Sequence, residues 1–128
     1  MWYADVMTVS QPVEPESDWS LEEERALFEM ANLYPRDTGL PMTVWIGPKG
    51  MARHDARVKV CRRHGDRMDM RDTASVSIRP EPRVVAGDLE TADFKVVAQW
   101  IALNSDVLLG YWDGRLSTLE MARSLRPL

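Results

Sequence analysis

Between Thr43 and Ala86 the chain alternates polar and apolar residues with a period of two, and this pattern limits its folds more than any other. Thr43-Val44-Trp45-Ile46 reads as a strand closed by the turn residues Gly47-Pro48-Lys49-Gly50. Ala56-Arg57-Val58-Lys59-Val60 is the clearest segment, with Ala56, Val58 and Val60 on one face and Arg57 and Lys59 on the other. Ala74-Ser75-Val76-Ser77-Ile78-Arg79 repeats the arrangement, and Arg83-Val84-Val85-Ala86 is a further candidate. A long polar loop over residues 62–73 separates the second and third segments, and loops of this length tend to be functional or mobile. Together the segments predict a curved antiparallel sheet whose outer, solvent-facing side carries Arg57, Lys59 and Arg79.

Helical periodicity flanks this region on both sides. Ser20-Leu21-Glu22-Glu23 is a capping-box pattern, and Glu22, Glu23 and Glu24 suit the positive end of a helix dipole. Leu27, Met30, Ala31 and Tyr34 follow at i, i+3, i+4, i+7, which predicts a helix over roughly residues 20–33, stopped by Pro35. Asp37-Thr38-Gly39 then reads as a turn. Downstream, Thr91 can cap a helix whose Phe94, Val97, Ala98 and Ile101 share a face. Asn104-Ser105-Asp106 reads as a break, Val107, Leu108, Tyr111 and Trp112 as the next stripe, and Asp113-Gly114 as its end. Ser117-x-x-Glu120 is a second capping box, with Leu116 and Met121 as its hydrophobic staple.

The fold class expected from these signals is α+β. It comprises an N-terminal helix, a three- or four-stranded antiparallel sheet and two or three C-terminal helices packed on one sheet face. Val44, Ile46, Val58, Val60, Val76, Ile78, Phe94, Val97, Ile101, Leu108 and Trp112 are the expected core. Residues 1–17, rich in proline and acid and without apolar periodicity, read as a flexible acidic arm, and residues 18–128 as a single domain. Trp2, Tyr3 and Val6 within the arm would anchor it on the domain or on a second copy, which would make a homodimer. No apolar run approaches the ~18 residues of a membrane span, the start lacks a signal-peptide pattern, and Cys61 is the sole cysteine. A cytoplasmic protein without a disulfide or a membrane segment is the expectation.

Charge is segregated along the chain. Ten basic residues against five acidic ones lie between Lys49 and Arg83, a net +5, whereas the first 34 residues hold eight acids against Arg25 alone, a net −7. A dipole of this kind marks a docking pole for something charged. The basic candidates for partner contact are Arg53, Arg57, Lys59, Arg62, Arg63, Arg67, Arg71 and Arg79; the acidic candidates are Glu22, Glu23, Glu24 and Glu29. No Phe, Tyr or Trp occurs between Trp45 and Phe94, so recognition by stacked bases is disfavoured. The overall pI of 5.2 also falls short of a general DNA binder.

Catalytic and metal motifs are weak. Cys61 and His64 stand at C-x-x-H spacing with His54 nearby, but only Asp66 or Asp69 could complete a ligand set, mixing soft and hard donors on one loop. A Cys61–His54 or Cys61–His64 nucleophilic pair lacks a nameable orienting residue. Asp66, Asp69 and Asp72 could collect Mg²⁺, yet placed among Arg62, Arg63, Arg67 and Arg71 they fit a solvated charge mosaic better. Gly47-Pro48-Lys49-Gly50 follows a strand, so it reads as a hairpin turn and not as a nucleic-acid clamp. No Walker A, G-x-S-x-G or H-E-x-x-H pattern is present. No catalytic residue, metal or cofactor is expected.

Thr38-Gly39-Leu40-Pro41 leading into Val44-Trp45-Ile46, the strand His54-Asp55-Ala56-Arg57-Val58-Lys59-Val60, Val76-Ser77-Ile78-Arg79-Pro80, Trp100-Ile101-x-Leu103-Asn104-x-Asp106-Val107-Leu108 and Tyr111-Trp112-Asp113-Gly114 carry a resemblance. Over residues 36–114 the chain resembles a group of small uncharacterised bacterial and phage proteins, distantly similar to small domains encoded beside antitoxin genes. The resemblance implies a mobile-element setting and supplies no catalytic residue.

The function expected is that of a non-enzymatic interaction protein of phage or mobile-element origin that works by binding and occlusion. Inhibition of a bacterial defence complex, in the manner of an anti-CRISPR protein, is one instance. Its partner would be a protein or nucleoprotein. The alternative is a nucleic-acid-binding regulator or antitoxin-type protein contacting phosphates through Arg57, Lys59, Arg62, Arg63 and Arg67.

Overall fold

The alternating segments pair with their neighbours in chain order. The computed structural model describes residues 31–47, 49, 53–67 and 69–128. Within them a five-stranded antiparallel sheet runs β1 (Ala31–Leu33), β2 (Met42–Ile46), β3 (Arg57–His64), β4 (Thr73–Ser77) and β5 (Val84–Ala86), adjacent in that order. A one-turn helix α1 (Pro35–Thr38) joins the first two strands. The long helix α2 (Thr91–Trp112) and the short α3 (Thr118–Ser124) follow the sheet. The α+β class with an antiparallel sheet and C-terminal helices is therefore observed.

Register fixes which side chains share a face. Val44 lies opposite Leu33 and Val60, and Val58 opposite Val76. These valines form one cluster with Met42, Ile46, Val97, Trp100, Ile101, Leu108, Trp112 and Met121, so α2 and α3 cover that face. Every expected core residue is in the cluster except Phe94, which packs against it half-buried.

Three elements differ from the sequence expectation. The sheet has five strands, because residues 31–33 form an edge strand where a helix was predicted. Ala31 and Leu33 face Ile46 and Val44 across the ladder, and pairing with β2 outweighs the helical spacing that Ala31 shares with Leu27 and Tyr34. The rest of the predicted N-terminal helix, the arm over residues 1–17, and Glu22, Glu23, Glu24 and Glu29 lie outside the described residues. Second, α2 runs through Asn104-Ser105-Asp106 without interruption for 22 residues. Its N-cap is Glu90, one residue before the predicted Thr91. Third, β3 extends to His64, which shortens the polar loop to residues 65–72.

The predicted end of the chain forms as the capping box requires. Ser117 Oγ accepts from the Glu120 amide at 3.1 Å, and the Ser117 amide donates to Glu120 Oε1 at 2.9 Å. Beyond α3 the terminal residues turn back. The Leu128 amide donates to Thr38 O at 2.8 Å, directly beside Gly39. Gly39 sits at φ +80°, and a Cβ there would stand 2.5 Å from Leu128 O, so only glycine fits this approach.

Candidate partner-binding surface

β3 outruns β4. Its last pair with β4 joins Cys61 to Thr73, while residues 62–64 continue beside β2, where His64 lies opposite Met42. Consecutive strand residues leave opposite faces of a sheet, yet the long side chains of Arg62 and Arg63 meet at one carboxylate. The Asp72 carboxylate at the far foot of the loop accepts from both: Arg62 Nη1 donates to Oδ1 and Arg63 Nε to Oδ2, each at 3.2 Å. His64 Nε2 donates to Asp93 Oδ1 at 2.9 Å, which ties this end of the sheet to the first turn of α2. Arg36 of α1 reaches Asp66 at 3.8 Å. Arg67 is exposed and has no carboxylate partner among the described residues. Arg71 is exposed in the same loop.

This end of the sheet is therefore a mosaic. Arg36, Arg62, Arg63, Arg67 and Arg71 alternate with Asp66, Asp72 and Asp93 instead of forming an unbroken cationic stripe. Between the loop and the start of α2 lies an open depression of about 590 Å³ lined by Arg62, Asp88, Leu89, Glu90, Thr91 and Ala92. Asp88 and Glu90 on its wall oppose any anion that Arg62 would attract.

The remaining predicted basic residues do not join this group. Arg79 sits past the end of β4 and holds Asp55 in a forked pair, with Nη2 2.9 Å from Oδ1 and Nε 3.0 Å from Oδ2. The Arg79 hydrogen bonds, with one from the Ala56 backbone, hold the Asp55 carboxyl down to about 2. A depressed carboxyl stabilises the fold fully above its ordinary 3.8 and loses that contribution as pH falls through about 2. An NMR titration of Asp55 is expected to place its midpoint near 2 in the wild type and back toward 3.8 in Arg79→Ala. An unmoved midpoint in the variant would show that the pair does not form. Arg53 is exposed near this opposite end, where His54 stacks on Trp112 at 5.8 Å between ring centroids.

Arg57 and Lys59 were expected on a solvent face, and both are half-buried. Desolvation lowers the Arg57 pKa, and its Nε is buried without a hydrogen-bond acceptor. Between them and beyond, Trp45 and Cys61 share this second face and are fully buried. The sequence carried a signal for this. Trp45 lies between Val44 and Ile46, so large apolar side chains leave both faces of β2, as in a sheet covered twice.

Cys61 does not meet either histidine. It points to the second face, His64 to the α2 side through Asp93, and His54 sits on Trp112. Among the described residues, no group of three or more His, Cys, Asp or Glu side chains converges to hold a metal ion. No described helix is long and apolar enough to cross a membrane. Comparison with protein-family models, with curated proteins and with solved structures returned no match.

Proposed function

We propose that this chain is a non-enzymatic interaction protein that binds a partner protein through the loop end of its sheet and acts by occlusion. The supporting observation is the mosaic at that end: Arg62 and Arg63 share Asp72, and Arg67 and Arg71 project from the same loop. Guanidinium groups pre-positioned beside carboxylates can exchange those partners for carboxylates and carbonyls of another protein, keeping their hydrogen bonds bidentate. Phosphate recognition is served less well. It needs uninterrupted positive potential, and Arg57 and Lys59, which that reading requires, are half-buried. The phage or mobile-element setting, with inhibition of a bacterial defence complex as its instance, rests on the resemblance over residues 36–114.

Charge reversal at both positions, Arg62→Glu with Arg63→Glu, is expected to abolish capture of the partner from bacterial lysate while leaving the thermal midpoint within about 2 °C, as for exposed side chains. Unchanged capture would remove the loop end as the site. In parallel, the wild type is titrated with duplex DNA and with RNA at two salt concentrations. Steep salt-dependent binding would favour the phosphate reading over the protein reading.

A further inference from the structure

Two arginines at the loop end keep hydrogen-bond donors to spare. A guanidinium carries five N–H groups, and an adjacent pair of them matches the two oxygens of a carboxylate. Asp55 and Asp106 each take such a fork from one arginine. Asp72 is held differently, by a single donor from each of two arginines, Nη1 of Arg62 and Nε of Arg63. The Nε–Nη2 edge of Arg62 and the Nη1–Nη2 edge of Arg63 therefore remain whole forks, without an acceptor among the described residues. Two positive charges share one negative charge, so the trio is a carboxylate short of balance. All three side chains reach solvent, at 47%, 57% and 29% exposure for Arg62, Arg63 and Asp72. The loop between them is pinned at both feet. At one, the Gly65 amide donates to Pro41 O at 2.8 Å, and Thr43 Oγ1 donates to Gly65 O at 3.3 Å. At the other, the Arg62 amide donates to Asp72 O at 3.0 Å. The main chain thus fixes the carboxylate that seats both arginines, and the forks are set before any partner arrives.

We propose that these two forks receive two carboxylates from one acidic segment of the partner protein, while Asp72 stays in place and holds the arginines together. The inference rests on the loop-end reading above and supplies the partner's chemistry. Guanidiniums that share the oxygens of one carboxylate are close neighbours, so the two acceptors they take must be close as well. Glutamates four apart on a helix meet that need, with Cβ atoms about 5–6 Å apart on one face. A phosphate chain fits less well. Asp88 and Glu90 line the depression beside Arg62 and repel dense negative charge, and duplex DNA brings one charge per about 1.7 Å. Recognition by a fork also differs from recognition by charge alone. A lysine ammonium keeps the charge of an arginine but has no planar pair of donors.

The probe is an alanine-based helical peptide with two glutamates four residues apart, titrated into the full-length chain at low salt and followed by NMR. Saturable binding at millimolar peptide is expected, and the Arg62 Nε–H resonance should shift, because that group belongs to an open fork. Changing either glutamate to glutamine should weaken binding about threefold or more. Arg62→Lys with Arg63→Lys keeps every charge and removes both forks, so it should weaken binding about tenfold. Arg83→Lys, in the β4–β5 connection, should bind as the wild type does. Equal binding by the double lysine variant would show that charge alone is read and would overturn the proposal. Absence of saturable binding would overturn it too, as would a tighter response to inorganic phosphate than to the peptide. Should the double variant lose its fold, the single substitutions Arg62→Lys and Arg63→Lys carry the same test. The two readings fail separately. If the double lysine variant holds the peptide fully while Arg62→Glu with Arg63→Glu loses capture, the loop end remains the site and the forks are not its device.

Discussion

Trp100→Ala is expected to destabilise the fold by about 3–5 kcal/mol, the usual range for emptying a buried aromatic site. Trp100 is 0% exposed in the middle of α2 and belongs to the cluster that joins the helix to Val44, Val58, Val60 and Val76. A domain of this size is held by about 5–15 kcal/mol in total, so the variant should lose roughly a fifth or more of its urea resistance. Trp100 also carries a penalty of its own, because its indole Nε1 is buried without an acceptor. Trp100→Phe removes that unsatisfied donor while keeping most of the ring, so its cost should be well below that of alanine. Urea midpoints with unchanged m-values measure both. An alanine variant as stable as the wild type would show that α2 does not press on the sheet.

The elements that the sequence revealed are those where one local pattern met no competing force. Period-two alternation located β2 to β5 and their inward valines, because the helix-covered face demands the same alternation that defines a strand. The Ser117–Glu120 box located the start of α3 to the residue, since cap chemistry is local. The interleaved aspartates were legible as arginine partners in part: Asp72 takes that role with Arg62 and Arg63, whereas Asp66 meets Arg36 of α1 and Asp69 accepts from the Arg71 amide. What escaped depended on long-range pairing. Residues 31–33 became a strand only because β2 offered a partner, and His64 found Asp93 across 29 positions of sequence. The expected solvent side of the sheet failed for a related reason. Alternation says which residues share a face and nothing about what lies over it, although Trp45 between Val44 and Ile46 hinted at a second cover.

The clearest reversal, Asn104, gives the second large expected effect. Asparagine followed by serine and aspartate favours a break, since each can bond its own backbone in non-helical ways. Asn104 is instead fully buried, and its amide is used three times. Nδ2 donates to Trp100 O at 3.0 Å within the helix and to Arg126 O at 3.0 Å, while Oδ1 accepts from the Arg126 amide at 2.7 Å. The side chain that would break the helix thus bonds across to the chain terminus, and α2 continues. Asn104→Ala strands both backbone groups of Arg126, at about 1–3 kcal/mol for each one kept from water; the two bonds are part-buried, so the lower part of the resulting range of about 2–6 kcal/mol is expected. The terminal segment can limit this loss by peeling away, and the Leu128 bond to Thr38 O beside Gly39 would go with it. Amide exchange at Arg126 and Leu128 should therefore quicken beyond the change in global stability. Arg126→Ala is the control. It deletes the exposed ion pair with Asp106 and the bond to Leu103 O but keeps both main-chain bonds to Asn104, so its effect should be much smaller. If the two variants unfolded at the same urea concentration, the clamp would reside in the guanidinium and not in the buried amide.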